Sequence, residues 1–481
     1  MPPMTPPTNS PSAPSPRTIS NFQQSDAFRA QVHSVIPGGA HTYSKGDDQF
    51  PVLAPAAIAR GKGAHLWDID GNEFIDCSLS LGAISLGHAY EPVLAAVRAQ
   101  LELGANFQRP AALELEFARQ LAAAVPGAER VKFAKNGSTV TTAAVKLARA
   151  FTGRDLVAFP GNHAFYSYDD WFIGRTACPA GVPDAMRSQS VTYDSTRPET
   201  LERLFREYPD AIACVITEPE ETIAVPPDAV LAIAELARRH GAVFVADEMV
   251  SGYRAGWPGA CARIGLQPDL ATGGKAVGNG FSFCALTGRA DIMDLGGIKQ
   301  TGAPRVFLTS TTNGAEAHAL AAAQAVLHTY QTQDVLGHQR RLVAAVAAGF
   351  RAGVAAADLT GVIEVHESSW RVITVYRDLE RNVSLPLRTL ALQEMIGRGI
   401  LFQGLFLPCF SHTDADVQAI VRAFEAACQV YRQALADGVE RHLVGEATRP
   451  VFRKYNACTR SCPSTPCPHE AGCRDARWPW M

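Results

Sequence analysis

Short apolar runs that stop abruptly at acidic residues alternate with longer stretches of helical spacing through the middle of the chain. Val243-Phe244-Val245-Ala246 closes in Asp247-Glu248, and Ala211-Ile212-Ala213-Cys214-Val215-Ile216-Thr217 closes in Glu218-Pro219. Runs of this kind, bounded by turn residues, predict buried parallel strands. Asp228 to His240 lies between them with helical periodicity and leads through Gly241 into the next strand. Strand, helix, strand is the unit of a right-handed parallel sheet. Helical spacing recurs over Val93 to Leu103, Ala112 to Val125, the alanine-rich Val140 to Phe151, and Ala315 to Tyr330. Upstream, Asp70-Gly71 within Gly63 to Asp76 predicts a hairpin, because both central residues tolerate positive φ. Downstream, residues 331 to about 436 predict a smaller α/β unit. Its parts are a helix through Leu342 to Phe350, strands near Val362 to Val365 and Arg371 to Val375, and a closing helix from Asp414 to Leu435 capped by Thr413.

Composition narrows the class. A chain of 481 residues is too long for one small domain. Its 44 basic and 47 acidic residues leave a net charge of -3, which implies no polyanion-binding surface and no nucleic-acid partner. No run reaches the roughly 18 apolar residues that cross a bilayer, and the N-terminus lacks a basic region followed by an apolar one, so a cytoplasmic protein is expected. Residues 1–20 are mostly Pro, Ser and Thr and predict a disordered leader. Of the 11 cysteines, Cys77, Cys178, Cys214, Cys261, Cys284, Cys409 and Cys428 are scattered, most of them near apolar residues, as for small hydrophobes in a reducing compartment. The others, Cys458, Cys462, Cys467 and Cys473, cluster with His469 in a tail. The first pair fits zinc spacing, but the later spacings match no defined pattern, and no metal site is assigned.

The candidate chemistry sits at strand ends. Open α/β sheets bind ligands beyond the carboxyl ends of their strands, which would hold Asp247 rigidly at a pocket floor. Further on, Thr272-Gly273-Gly274-Lys275 puts an amine in a glycine-rich turn bordered by Gly278 and Gly280, where backbone approaches a flat ligand closely. Gly137-Ser138 opens the helix that follows Val131 to Asn136. Its amides, its hydroxyl and the positive end of the helix dipole suit a phosphate, although an isolated Gly-Ser is read first as an N-cap.

These pieces together resemble the class III aminotransferase family of fold-type I pyridoxal phosphate enzymes. The resemblance rests on Asp247-Glu248, Ser251-Gly252-Tyr253-Arg254, Pro268-Asp269-Leu270 and Gly274-Lys275, which match in order and spacing. It covers about residues 30 to 436 and is nearest to glutamate-1-semialdehyde 2,1-aminomutase-like proteins. It implies an α/β fold with a large, mostly parallel sheet covered by helices on both faces, plus a smaller C-terminal α/β domain. The expected divisions are a leader (1–20), an N-terminal segment joining the small domain (21–85), a large cofactor-binding domain (86–325), a small domain (326–436) and a Cys-rich extension (437–481).

The resemblance also implies roles. Lys275 would hold pyridoxal 5′-phosphate as a Schiff base, and Asp247 would pair with its ring nitrogen. Gly137 and Ser138 would hold the phosphate, His163 or Phe165 would cover the ring, and Glu218 would lie near cofactor and substrate. Thr311, or its neighbour Thr312, would reach the phosphate bound in the partner of a homodimer. The mutase has a Ser-Pro-Val-Arg run where this chain reads His41-Thr42-Tyr43-Ser44, and a glutamate where this chain reads Gly404 to Phe410. These departures favour an aminotransferase acting on a small amino donor and a carbonyl acceptor. An intramolecular aminomutase is the alternative, and a catalytically inactive binding protein on the same scaffold is the alternative from another class.

Overall fold

The computed structural model describes residues 17–161, 165–220, 225–302, 304–453 and 455–456. Its centre is a seven-stranded sheet in the order Arg130–Ala134, Cys284–Gly288, Leu270–Gly274, Val243–Glu248, Ile212–Thr217, Leu156–Pro160, Ser190–Tyr193. Cys284–Gly288 runs antiparallel to both its neighbours and the other pairings are parallel. Successive side chains of a strand face opposite ways. Val243 and Val245 therefore pack with Val140, Ala144 and Leu147 of the helix Gly137–Thr152, while Phe244 and Ala246 pack with Val230, Ile233 and Ala237 of Pro227–Arg239. Burial on both faces is why the sequence shows an unbroken apolar run here.

The C-terminal part builds its own core. Strands Ile363–Glu367, Val372–Tyr376 and Leu405–Phe406 form a three-stranded sheet against the helices Val335–Ala356, Leu385–Ile396 and Asp414–Asp437. Thr413 caps the last helix in a capping box with Asp416. Leu385–Ile396 was not among the expected helices. Every residue from Leu387 to Ile396 is buried, so it has no polar face to produce a helical pattern. Its buried Glu394 pairs with Arg17 and Arg398.

The expected hairpin forms from His65–Asp68 and Glu73–Asp76, and Ile400–Leu401 extends it as a parallel neighbour of Glu73–Asp76. The chain after Asp437 does not simply leave the molecule. The Thr448 N–H donates to Thr389 Oγ1 (2.9 Å), Arg449 N–H donates to the Asp48 carbonyl (2.9 Å), and Arg453 pairs with Asp48 (2.6 Å). Phe452 packs against the core between the central sheet and the helix Gly137–Thr152, and Cys178 Sγ–H donates to the Arg453 carbonyl. Cys458, Cys462, Cys467, His469 and Cys473 lie outside the described residues. No helix among the described residues is long and apolar enough to cross a membrane.

Candidate active site

Asp247 and Glu218 stand at the carboxyl ends of adjacent parallel strands, where Thr217 lies opposite Ala246 and Asp247 opposite Thr272. Alternation sends Asp247 to the face covered by the helix Gly137–Thr152 and Glu248 to the other face. Asp247 is 4% exposed, and its Oδ1 accepts hydrogen bonds from Met249 N–H (3.0 Å) and Thr272 Oγ1–H (2.8 Å). Glu248 instead accepts from Ser251 Oγ–H, Ala260 N–H and Cys261 N–H, which fixes the start of the helix Ala260–Ile264. The adjacent acids are thus separated into one that faces the site and one that holds the backbone behind it.

Met249 shows how the distant glycines converge. A Cβ on Gly137 would stand 3.3 Å from Met249 Cγ, and one on Gly274 would stand 2.7 Å from Met249 Sδ and 2.5 Å from Cys284 Sγ. Gly274 lets the lysine turn close on this side chain, and Gly137 brings the helix start close to it. Lys275 follows in a left-handed conformation (φ 45°). Burial pushes its pKa below the usual lysine range, Glu218 and Asp247 pull it back, and Arg254 pushes it down again.

The turn carrying Lys275 is stapled in place. Asn279 Oδ1 accepts from Ser85 N–H (3.0 Å) and Leu86 N–H (2.9 Å), and Ser85 Oγ–H donates to the Ala276 carbonyl (2.8 Å). Just before it, Leu79, Ser80, Leu81 and Gly82 all have φ between 47° and 79°, a left-handed run that is costly for three side-chain-bearing residues. Asp76 Oδ1 accepts from Ser78 N–H and Leu79 N–H, and Arg254 Nη2–H donates to the Gly82 carbonyl. Arg254 is buried, and burial lowers its pKa to about 10 while Tyr330 and Glu218 act against the shift.

The remaining residues take distinct positions. Asn136 is the N-cap of Gly137–Thr152, its Oδ1 accepting from Thr139 N–H (3.0 Å). Ser138 is buried and its Oγ accepts from Tyr168 N–H (3.0 Å). Tyr166 Oη accepts from the Glu218 N–H, joining the aromatic loop to the strand end. Phe165 is half exposed with its ring edge-on to Phe172, and His163 lies outside the described residues. Thr311 and Thr312 are exposed in the single chain. His412 is buried with Nδ1 accepting from Cys409 N–H, and burial lowers its pKa to about 4, a structural arrangement. Lys45, whose Nζ–H donates to Ser80 Oγ (2.9 Å), was not singled out from sequence. Arg254 had a local signal in the Ser251 to Arg254 motif, and Tyr166 had one in the aromatic run from Tyr166 to Phe172.

The family model for class III aminotransferases matches residues 43–363. The chain belongs to this family. A glutamate-1-semialdehyde 2,1-aminomutase of Anaeromyxobacter sp. (strain Fw109-5) is 31% identical over 436 residues, covering 84% of this chain and 97% of that one. Among solved structures, a transaminase with PLP bound superposes with a TM-score of 0.78 at 24% identity, covering 87% of this chain and 100% of that one. A glutamate-1-semialdehyde-aminomutase from Pseudomonas aeruginosa PAO1 gives a TM-score of 0.74 at 23% identity, covering 85% and 95%. Both share the fold-type I architecture.

The cofactor of a class III aminotransferase is pyridoxal 5′-phosphate, and the residues present fit it. A buried carboxylate and a desolvated amine converge, and Gly137 and Gly274 leave room against Met249 that any Cβ would fill.

Proposed function

We propose that the chain is an aminotransferase that moves an amino group between a small amino compound and a carbonyl acceptor. The observation that carries this reading is the convergence of Asp247, Lys275 and the Gly137 helix start around Met249. In it, Lys275 would hold the cofactor covalently, Asp247 its ring nitrogen, and Gly137 and Ser138 its phosphate. When bound, pyridoxal phosphate supplies an electron sink for the carbon that bears the amine. Lys275 Nζ, biased by burial toward its neutral form, takes and returns the proton of that carbon. Asp247, fixed by Met249 and Thr272, would supply a carboxylate to the ring nitrogen of the bound cofactor. Two unit charges ~3 Å apart at an effective dielectric of ~20 interact by roughly 5 kcal/mol, enough to hold that nitrogen protonated. Arg254 and Glu218 set the electrostatics of the lysine, and the stapled turn Ser85 to Gly87 fixes its backbone.

The exposed Thr311 and Thr312 fit a homodimer in which each chain completes its partner's phosphate site. Phe165 is the described candidate for covering the ring. A cytoplasmic location is part of the same reading. The second reading, an intramolecular aminomutase, is favoured by the name carried by the relative that is 31% identical over most of its length.

A donor screen separates the two. Purified protein should be yellow, borohydride should fix the cofactor to Lys275, and Lys275→Ala should abolish that fixation. An amino donor should then convert the cofactor to its amine form with release of a carbonyl product. Isomerisation of one substrate without any donor would replace the transaminase reading by the mutase one.

A further inference from the structure

Inside the smaller C-terminal unit, one arginine is buried with no acid beside it. Arg388 lies in the first turn of the helix Leu385–Ile396 and is 7% exposed. Its Nη1–H donates to Thr448 Oγ1 (3.1 Å) and its Nη2–H to the Gln403 carbonyl (2.9 Å). Both acceptors are neutral. Arg398, just past the end of the same helix, also has a buried side chain, but it pairs with Glu394 at 2.7 Å. Burial lowers the Arg388 pKa to about 10, with Tyr376 acting against the shift, so the guanidinium is still charged at neutral pH. A charge taken out of water is costly unless it is paired.

The remaining edge of this guanidinium is open. Arg388 Nε is buried and donates to no group among the described residues. It faces the backbone at Gly404, where a Cβ would lie 3.8 Å from Nε and 3.7 Å from Thr374 Oγ1, both ordinary contact distances. Room remains in that corner for a further atom. Gly404 has φ 86°, a conformation that keeps a side chain from filling it. Thr374 Oγ1 also lies 2.9 Å from Tyr376 Oη and 3.2 Å from the Gly404 carbonyl. On the other side, Thr389 Oγ1–H donates to the Leu385 carbonyl (2.7 Å), so the Thr448 hydroxyl proton turns to Thr389 and its lone pairs to Arg388. Thr374, Tyr376, Thr389 and Thr448 are all buried. None of them is among the residues assigned to the cofactor.

From this arrangement we infer that Arg388 Nε and Thr374 Oγ1 form an internal binding site for a monovalent anion of halide size. A halide accepts from N–H and O–H alike and occupies the room of one atom, whereas a carboxylate or a phosphate needs several. With the Thr374 proton turned to the ion, Tyr376 Oη–H donates to Thr374 Oγ1 in its place. The ion enters along the seam where half-buried Gln403 donates Nε2–H to the carbonyl of half-buried Ser44 (3.2 Å). It neutralises the guanidinium that holds Thr448, where the C-terminal segment is fastened to the helix Leu385–Ile396. The site is independent of the amino-transfer reading.

The test melts full-length, cofactor-loaded protein at constant ionic strength while sodium chloride replaces sodium gluconate, whose anion is too large for the corner. The parent should gain roughly 2 °C or more, saturating with chloride, and bromide should act alike. Arg388→Met keeps the length of the side chain without its charge and should show no saturable gain. Thr374→Val should move saturation to higher chloride. Crystals of the parent grown in bromide should carry an anomalous peak in contact with Arg388 Nε. A parent that melts alike in chloride and gluconate overturns the inference, as does an equal chloride response in the parent and Arg388→Met. If Arg388→Met does not fold, the bromide position decides, and a crystal without anomalous density at Arg388 overturns the site.

Discussion

At the scale of the residue, the site depends on what holds each charge in place. Asp247 is held and aimed by two donors, Met249 N–H and Thr272 Oγ1–H. Replacing it with asparagine keeps the shape and removes the charge. Asp247→Asn should therefore retain bound cofactor, measured by absorbance, while amino-transfer activity falls by roughly two orders of magnitude or more. Full activity in that variant would remove Asp247 from the mechanism. Asp247 and Lys275 were readable in the sequence because one continuous stretch carries both with their motif. The Glu220 to Trp370 hydrogen bond was not, because its partners lie 150 residues apart and neither belongs to a local pattern.

At the scale of the element, the helix Gly137–Thr152 carries two duties at its first turn. Asn136 closes it as an N-cap, and Ser138 ties it to the aromatic loop through Tyr168. Asn136→Ala should cost about 1 kcal/mol in denaturant unfolding, and Asn136→Ser should recover most of it. A neutral result would mean that packing of the buried face alone fixes the helix start. The cap reading and the phosphate reading of this turn describe different residues of it: Asn136 caps, and Gly137 and Ser138 remain the phosphate candidates. Strands buried on both faces were legible as apolar runs, and helices with one buried face were legible by their period. Leu385–Ile396 lacked that period because it is buried all round. The antiparallel Cys284–Gly288 was not singled out, since Cys-Ala-Leu-Thr-Gly is short and carries no sustained apolar run.

At the scale of the whole molecule, the first and last parts of the chain are joined by charge. His65 lies between Asp416 and Glu73, and its pKa is raised chiefly by the hydrogen bond to Asp416, against an opposing effect of burial. The Asp416 pKa is pushed up by burial but falls to about 2 because His65 and Thr413 outweigh it. The histidine contribution is present below the unfolded pKa of about 6.5 and disappears as pH rises through the raised folded value. The aspartate contribution is present above the unfolded value of about 3.9 and disappears as pH falls through about 2. The stability gap between the parent and His65→Asn should therefore be widest between about pH 4 and 6.5 and narrow above it. Thermal melts across that range check this, and a pH-independent gap would show that the ring acts by packing alone.

The segment from Thr448 to Arg453 joins distant parts of the chain. It touches the helix that holds Thr389, the N-terminal residue Asp48 and the loop that holds Cys178, three regions far apart in sequence. Such a stitch closes late, because the ribosome delivers residues 448–453 only after the parts they join. Asp48, Thr389 and Cys178 are therefore secured to one another only once that segment has emerged.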